Sequence, residues 1–336
     1  MHIPDGYLSP ASAGTMYALA IPFWYAASRK TRKILSGRTV PLMALLSAFC
    51  FVIQMINIPL PGGTTSHAVG GSIAAIVLGP WPAVIALSVA LVIQALFFGD
   101  GGVTTLGANC FNMAIVQVFV AYFLFRLLSS SAKTPRSLAF AAGLAGYVSL
   151  NVAALFGGIE LGIQPLIAKA ADGTPLYAPY PLSVSVPAML IAHLIAGFAE
   201  AIVAAAAVGY LARSAPEMLS LKIENQEAAG IPYRWRQIRT LWLVVALLVF
   251  VTPIGLLAPG TAWGEWTSGQ LRGLGFKFVP EGIRRWEGLW NGILRDYSVP
   301  GLGENTGYIV SAIAGIFFIF TVFALITLAA RRWAEK

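Results

Sequence analysis

Charge is scarce in this 336-residue chain: Asp, Glu, Lys and Arg make up 11% of it, against about 25% in soluble domains. Histidine occurs three times and cysteine twice. Each shortage excludes something. With 57% hydrophobic residues and a mean hydropathy of +0.75, the chain is an integral membrane protein and not a soluble domain. Cys50 and Cys110 stand alone in separate apolar runs, which excludes a disulfide framework and a closely spaced thiolate metal site. No GxxxxGK[ST] stretch is present, so ATP hydrolysis belongs to another subunit.

What is abundant is long apolar sequence. Runs suited to crossing about 30 Å of hydrocarbon as helices lie near 10–28, 40–59, 68–80, 82–99, 105–128, 137–163, 186–212, 238–258 and 306–330. They predict an all-α, polytopic bundle of about nine transmembrane helices, the third of them short. The net charge of +8 does not indicate nucleic acid, because it is distributed by topology. Arg29-Lys30-Thr31-Arg32-Lys33, Lys133 with Arg136, Arg234 with Arg236 and Arg239, and Arg331-Arg332 all follow or precede spans on one side. The positive-inside rule makes that side the cytoplasm, with the N-terminus outside and the C-terminus inside. Asp5 and Pro4 occupy the place where a cleavable signal would carry basic residues, so residues 1–9 are expected to persist.

Composition also divides the chain. Residues 213–237 are polar and carry both charge signs, which reads as a cytoplasmic linker. It separates a seven-helix part, 1–212, from a two-helix part, 238–336, whose outside loop near 259–304 is rich in Gly, Trp and charge.

Three stretches break the apolar pattern: IPLPGGTTSHAVGG, FFGDGGVTTLGANCFNMA and AHLIAGFAEA. Irregular backbone is tolerated at membrane depth only where protein or a watery cavity covers it, so these are candidate sites. In the first, Pro59 and Pro61 end a span and Gly62-Gly63 permit a sharp turn; His67 follows, and a short helix is expected to restart at Ala68. The chain also opens Met1-His2. Methionine is retained before a residue as large as histidine. The α-amine, the next amide nitrogen if deprotonated, and Nδ1 of a histidine at position 2 close a five- and a six-membered chelate ring on one ion. A fourth nitrogen from His67 completes a square, the geometry diagnostic of Ni(II) or Cu(II), with Co(II) a looser fit. The bland reading of the same residues is an exposed, disordered terminus and a solvated histidine in a capped turn.

MHIPDGYLSP, NIPLPGGTTSHAVGG, LGPWPAVIALSVALVIQALFFGDGGVTTLGANCFNMA and HLIAGFAEA together resemble the CbiM/NikM family over residues 1–212. These are the substrate-binding (S) components of energy-coupling-factor (ECF) transporters for cobalt and nickel. The tail resembles their two-span CbiN/NikN partner or its PDGLE-type relative, although PEGIRRWEG departs from PDGLE; a paired Asp296-Tyr297 is also present.

The resemblance implies an ABC-type importer component with Ni²⁺, or less readily Co²⁺, as transported substrate and no cofactor. It implies metal ligands at Met1, His2 and His67, a transmembrane coupling subunit and two ATPase subunits as partners, and a multi-pass place in the inner (cytoplasmic) membrane. Fusion of the tail favours nickel. Ser66, Gln94, Asp100, Asn109, Asn112, His193 and Glu200 are candidates for orienting the ligands. Gly14 with Ala18, and Ala192 with Ala196, are small-residue pairs suited to close helix approach. The other readings are a cobalt-specific component serving cobalamin biosynthesis, an intramembrane metalloenzyme, and a partner-independent channel. The enzyme reading lacks a general base, since Asp100 is the only acid expected near His67.

Overall fold

The computed structural model describes residues 1–32, 39–132, 134–219, 235–258 and 260–334. Lys33, Lys133, Arg234 and most of the expected linker, 220–234, lie outside the described residues, as do the side chains of Arg236, Arg331 and Arg332.

Helices occupy all nine expected intervals among the described residues. They are α1 (Pro10–Arg32), α2 (Thr39–Gln54), α3 (Gly71–Leu78), α4 (Pro80–Phe98), α5 (Leu106–Ser129), α6 (Pro135–Ile167), α7 (Leu182–Ser214), α8 (Trp235–Val251, extended by a 3₁₀ segment Thr252–Leu257) and, after two short α-helices and a 3₁₀ turn in the loop, α9 (Glu304–Ala334). Six are long and apolar enough to cross a membrane. The other three are α1, diluted by small polar residues and Pro22 and ending in Arg29, Lys30 and Arg32, the 16-residue α2, and α3. At eight residues, α3 is about 12 Å long and cannot span alone.

Local sequence explains the interruptions. Between α2 and α3 the chain forms a hairpin that the helical reading did not anticipate, β1 (Ile58–Leu60) against antiparallel β2 (Thr64–Ser66), with Pro59 opposite Thr65. Gly62 and Gly63 turn it with φ of 84° and 74°, values that a side chain at those positions would oppose. Helix α3 begins at Gly71, later than expected, because Gly70 at φ 77° holds the preceding loop out of the helix. Gly79, at φ 79°, and Pro80 then reverse the chain directly into α4. Lys30 Nζ lies 4.1 Å from the centre of the Trp81 ring, so this α3–α4 corner shares one end of the bundle with the end of α1.

All eight residues of α3 are buried. It is a half-helix enclosed by α2, α4, α5, α6 and α7. Its close fit depends on small residues, since a Cβ on Gly146 would lie 3.1 Å from Ser72 Oγ and 3.3 Å from Ala204 Cβ; between α6 and α7, one on Gly158 would lie 3.1 Å from Val186 Cα. Ala192 and Ala196 are likewise buried, whereas Gly14 and Ala18 sit on an exposed face of α1. The C-terminal pair packs on the bundle through α9 and α2. A Cβ on Gly315 would meet the Phe51 ring at 2.2 Å, and the Tyr308 hydroxyl donates to the Met55 carbonyl at 2.9 Å.

Candidate metal site

The N-terminal arm is buried, contrary to the disordered-terminus alternative. Met1 and His2 are 4% and 2% exposed, and Ile3, Asp5, Tyr7 and Leu8 are also buried. Its backbone polar groups must therefore find partners in protein. The Ile3 amide donates to Asn109 Oδ1 at 2.8 Å, and the Ile3 carbonyl accepts from Asn109 Nδ2 at 3.1 Å, Gly102 N at 3.0 Å and the Thr105 hydroxyl. Asp5 accepts from the amides of Val103 and Thr104 at 3.1 and 2.7 Å. Farther along, Ser9 N donates to Gln164 Oε1 at 2.9 Å. The turn after α4 can come this close only without side chains: a Cβ on Gly102 would sit 2.4 Å from the Asp5 nitrogen.

This docking brings His2 against His67, with ring centres 5.2 Å apart and planes inclined by 29°. His67 Nδ1–H donates to its neighbour's carbonyl, Ala68 O, at 3.1 Å, which leaves Nε2 with the lone pair. Burial, then the positive terminal amine and then His2 hold the His67 imidazole well below its usual pKa range, so it is an unprotonated donor at neutral pH. His2 Nδ1 lies 3.2 Å from Asp100 Oδ1, while His2 Nε2 is buried without a hydrogen bond among the described residues. The Met1 ammonium pairs with Glu265 Oε1 at 2.8 Å. A cavity of about 520 Å³ lies against both histidines, its walls including His2, His67, Asp100, Glu265, Trp266 and Tyr297.

Glu265 corrects the expectation that Asp100 is the only acid near the histidines. It lies 264 residues from Met1 in a loop with no motif, so only folding brings it there. The other candidates separate cleanly. Asn109 holds the arm. Gln94 Nε2 donates to the Tyr297 hydroxyl at 3.3 Å and lies 3.5 Å from Asp100. Ser66 is buried beside His67 with its hydroxyl unpartnered among the described residues.

Asn112 turns away from the arm to Glu160, donating at 2.9 Å. His193 and Glu200, two turns apart on α7, do not bond each other: His193 Nδ1 donates to Met189 O at 2.8 Å. Glu200 accepts from the amides of Val69 and Gly70 at 2.8 and 2.9 Å and from the Ser72 hydroxyl at 2.6 Å. A carboxylate at the N-terminus of α3 satisfies its free amides and complements the helix dipole, which fixes the loop that begins at His67.

Residues 2–218 match the CbiM family, described as the cobalt uptake substrate-specific transmembrane region. The chain belongs to the CbiM family. Residues 236–332 match the PDGLE domain. The chain is 48% identical to a fused nickel transport protein NikMN of Rhodobacter capsulatus, with 95% of each chain covered. It is 40% identical to a probable fused nickel transport protein LarMN of Lactiplantibacillus plantarum, with 94% of each covered. A crystal structure of a transition metal transporter matches 68% of this chain and 100% of its own, at 47% identity and a TM-score of 0.62. The chain is thus a multi-pass membrane protein of a nickel and cobalt transport family, a transporter and not an enzyme.

Proposed function

We propose that this chain is the substrate-binding component of an ECF-type importer and captures Ni²⁺ through nitrogens of Met1, His2 and His67. The observation that carries the reading is that both imidazoles line one cavity next to the buried Met1, whose amine pairs with Glu265 on the same wall. Among the described residues no three His, Cys, Asp or Glu side chains converge as a cation cage; an ion bound here would draw on main-chain nitrogen. The amine, the His2 amide and His2 Nδ1 form the two fused chelate rings, and His67 Nε2 supplies the fourth corner. Two imidazoles adjacent in a square, with metal–nitrogen bonds of about 2 Å, have ring centres about 4.5 Å apart. The observed 5.2 Å therefore needs only a small closure, together with release of His2 Nδ1 from Asp100.

Nickel is favoured over cobalt by the fused relatives, which are named for nickel, whereas a cobalt transport protein CbiM of Roseiflexus sp. matches 43% of this chain. The remaining assignments follow the same reading. Residues 1–212 bind the ion, 213–237 link, and 238–336 form the CbiN/NikN-like part. Nine helices lie in the inner membrane with the N-terminus outside and the C-terminus inside, and a transmembrane coupling subunit with two ATPases drives inward delivery.

Competition binding of Ni²⁺, Co²⁺, Cu²⁺ and Zn²⁺ to wild type, His2→Ala and His67→Ala tests the site. Uptake by the assembled transporter must accompany it, since Cu²⁺ outbinds Ni²⁺ at most nitrogen sites. Wild-type affinity in both variants would remove the nitrogen site.

A further inference from the structure

The bundle holds the N-terminal arm at Ile3 and Asp5 and faces His2 with His67 and Asp100, and the C-terminal part adds one contact to the Met1 amine and one to Asp100. Glu265 pairs directly with the Met1 amine at 2.8 Å, its side chain 17% exposed and that of Met1 1%. Tyr297 acts through an intermediary: its hydroxyl donates to Asp100 Oδ2 at 2.5 Å, and the other oxygen of that carboxylate faces His2 Nδ1 at 3.2 Å.

Tyr297 is held firmly for this contact. Its ring stacks on Phe98 with centres 4.8 Å apart, its carbonyl accepts from Ser311 Oγ at 2.8 Å, and Gln94 donates to its hydroxyl. Asp296 and Tyr297 have φ of 51° and 58°, left-handed values that are uncommon outside glycine and persist where surrounding structure over-determines them.

We propose that Glu265 and Tyr297 are positioning residues for metal capture: they hold the terminal amine and, through Asp100, the His2 ring inside the cavity, where an entering ion meets them. The inference rests on the nitrogen-site reading. Apparent affinity scales with the fraction of molecules in the binding-competent pose. Removing either tether lets the tip of the arm leave that pose, so association slows. Dissociation is little changed, because once chelated the nitrogens are held by the ion itself. A Glu265 that served as a ligand in the loaded complex would instead govern dissociation.

The test uses the full chain in detergent micelles, mixed with Ni²⁺ in a stopped flow and followed by quenching of tryptophan fluorescence, since Trp266 lines the cavity. Glu265→Gln and Tyr297→Phe are compared with wild type and His2→Ala. Tyr297→Phe keeps the stacked ring, and thermal melting checks that each variant is folded. The expected result is association slowed about tenfold or more, the scale for losing a partner that orients a ligand, with dissociation within about twofold. Association unchanged or faster, or an effect confined to dissociation, overturns the proposal. If His2→Ala loses binding while both tether variants associate normally, only this proposal falls. If His2→Ala binds as wild type, the nitrogen-site reading falls and this proposal with it.

Discussion

Glu200→Gln is nearly isosteric, and the structure assigns it a large effect. The carboxylate accepts from Val69 N, Gly70 N, Ser72 N, Ser72 Oγ and Gln117 Nε2, all donors, at a residue 1% exposed. A glutamine offers one oxygen and one NH₂. If its oxygen keeps the Val69 and Gly70 amides, both bonds fall from the range for a charged acceptor to that for a neutral one, a loss of about 1 kcal/mol each. Its NH₂ then faces the Ser72 amide and the Gln117 NH₂, donor against donor. The Ser72 hydroxyl can turn to accept, but at least one buried donor is left unsatisfied, at about 1–3 kcal/mol. The total is about 3–5 kcal/mol, concentrated where the chain leaves His67. Melting in detergent should fall by several degrees, and Ni²⁺ affinity by calorimetry should fall with it, while far-ultraviolet circular dichroism keeps its helical shape. Unchanged melting and affinity would refute the argument, because a glutamine is harmless only where the native group is not acting as an anion.

Other expectations follow from the same geometry. At the proposed nitrogen site, His67→Ala removes one of four ligands; if about 10–16 kcal/mol is spread over four ligands, each is worth roughly 10²–10³-fold in affinity, read by calorimetry. One residue added before Met1 shifts the amine by about 3.8 Å, breaks the chelate rings it would close with His2, and should abolish tight Ni²⁺ binding by calorimetry. Affinity should rise with pH, because a ligating backbone amide must give up its proton when it binds the ion. His67 adds a separate effect on stability. Its folded pKa is lowered, so its contribution is full above its unfolded value of about 6.5 and is lost as pH falls below that, which melting curves at acid pH would record. Gly102→Ala forces a Cβ to within 2.4 Å of Asp5 N and should cost about 1–3 kcal/mol and weaken metal binding.

How much of this was legible depended on the range of each interaction. The six long helices were readable because each is a long apolar run needing no partner to be recognised. The β1–β2 hairpin was not, because a six-residue pairing containing Pro59 has no alternating pattern long enough to register. His2 and His67 could be singled out since chelate ring size and a glycine break are local features. Asn109 was named for its place at a helix start, yet its work, holding Ile3 at both the amide and the carbonyl, depends on a neighbour 106 residues away. Glu265 carried no local signal at all. Asp296-Tyr297 stood out as a pair, but only the fold shows the phenol reaching Asp100.

The carboxylate clamp between α7 and the loop after His67 also has a mechanical meaning. Two bonds of 2.8 and 2.9 Å run from a single side chain in the middle of a 33-residue helix to adjacent amides just beyond His67. A slide of α7 by about 1 Å along those bonds would stretch both past the usual hydrogen-bond limit of about 3.2 Å unless the loop travelled with it. Helix and loop are therefore geared together, and a push on α7 from anywhere along its length is felt as a displacement of His67.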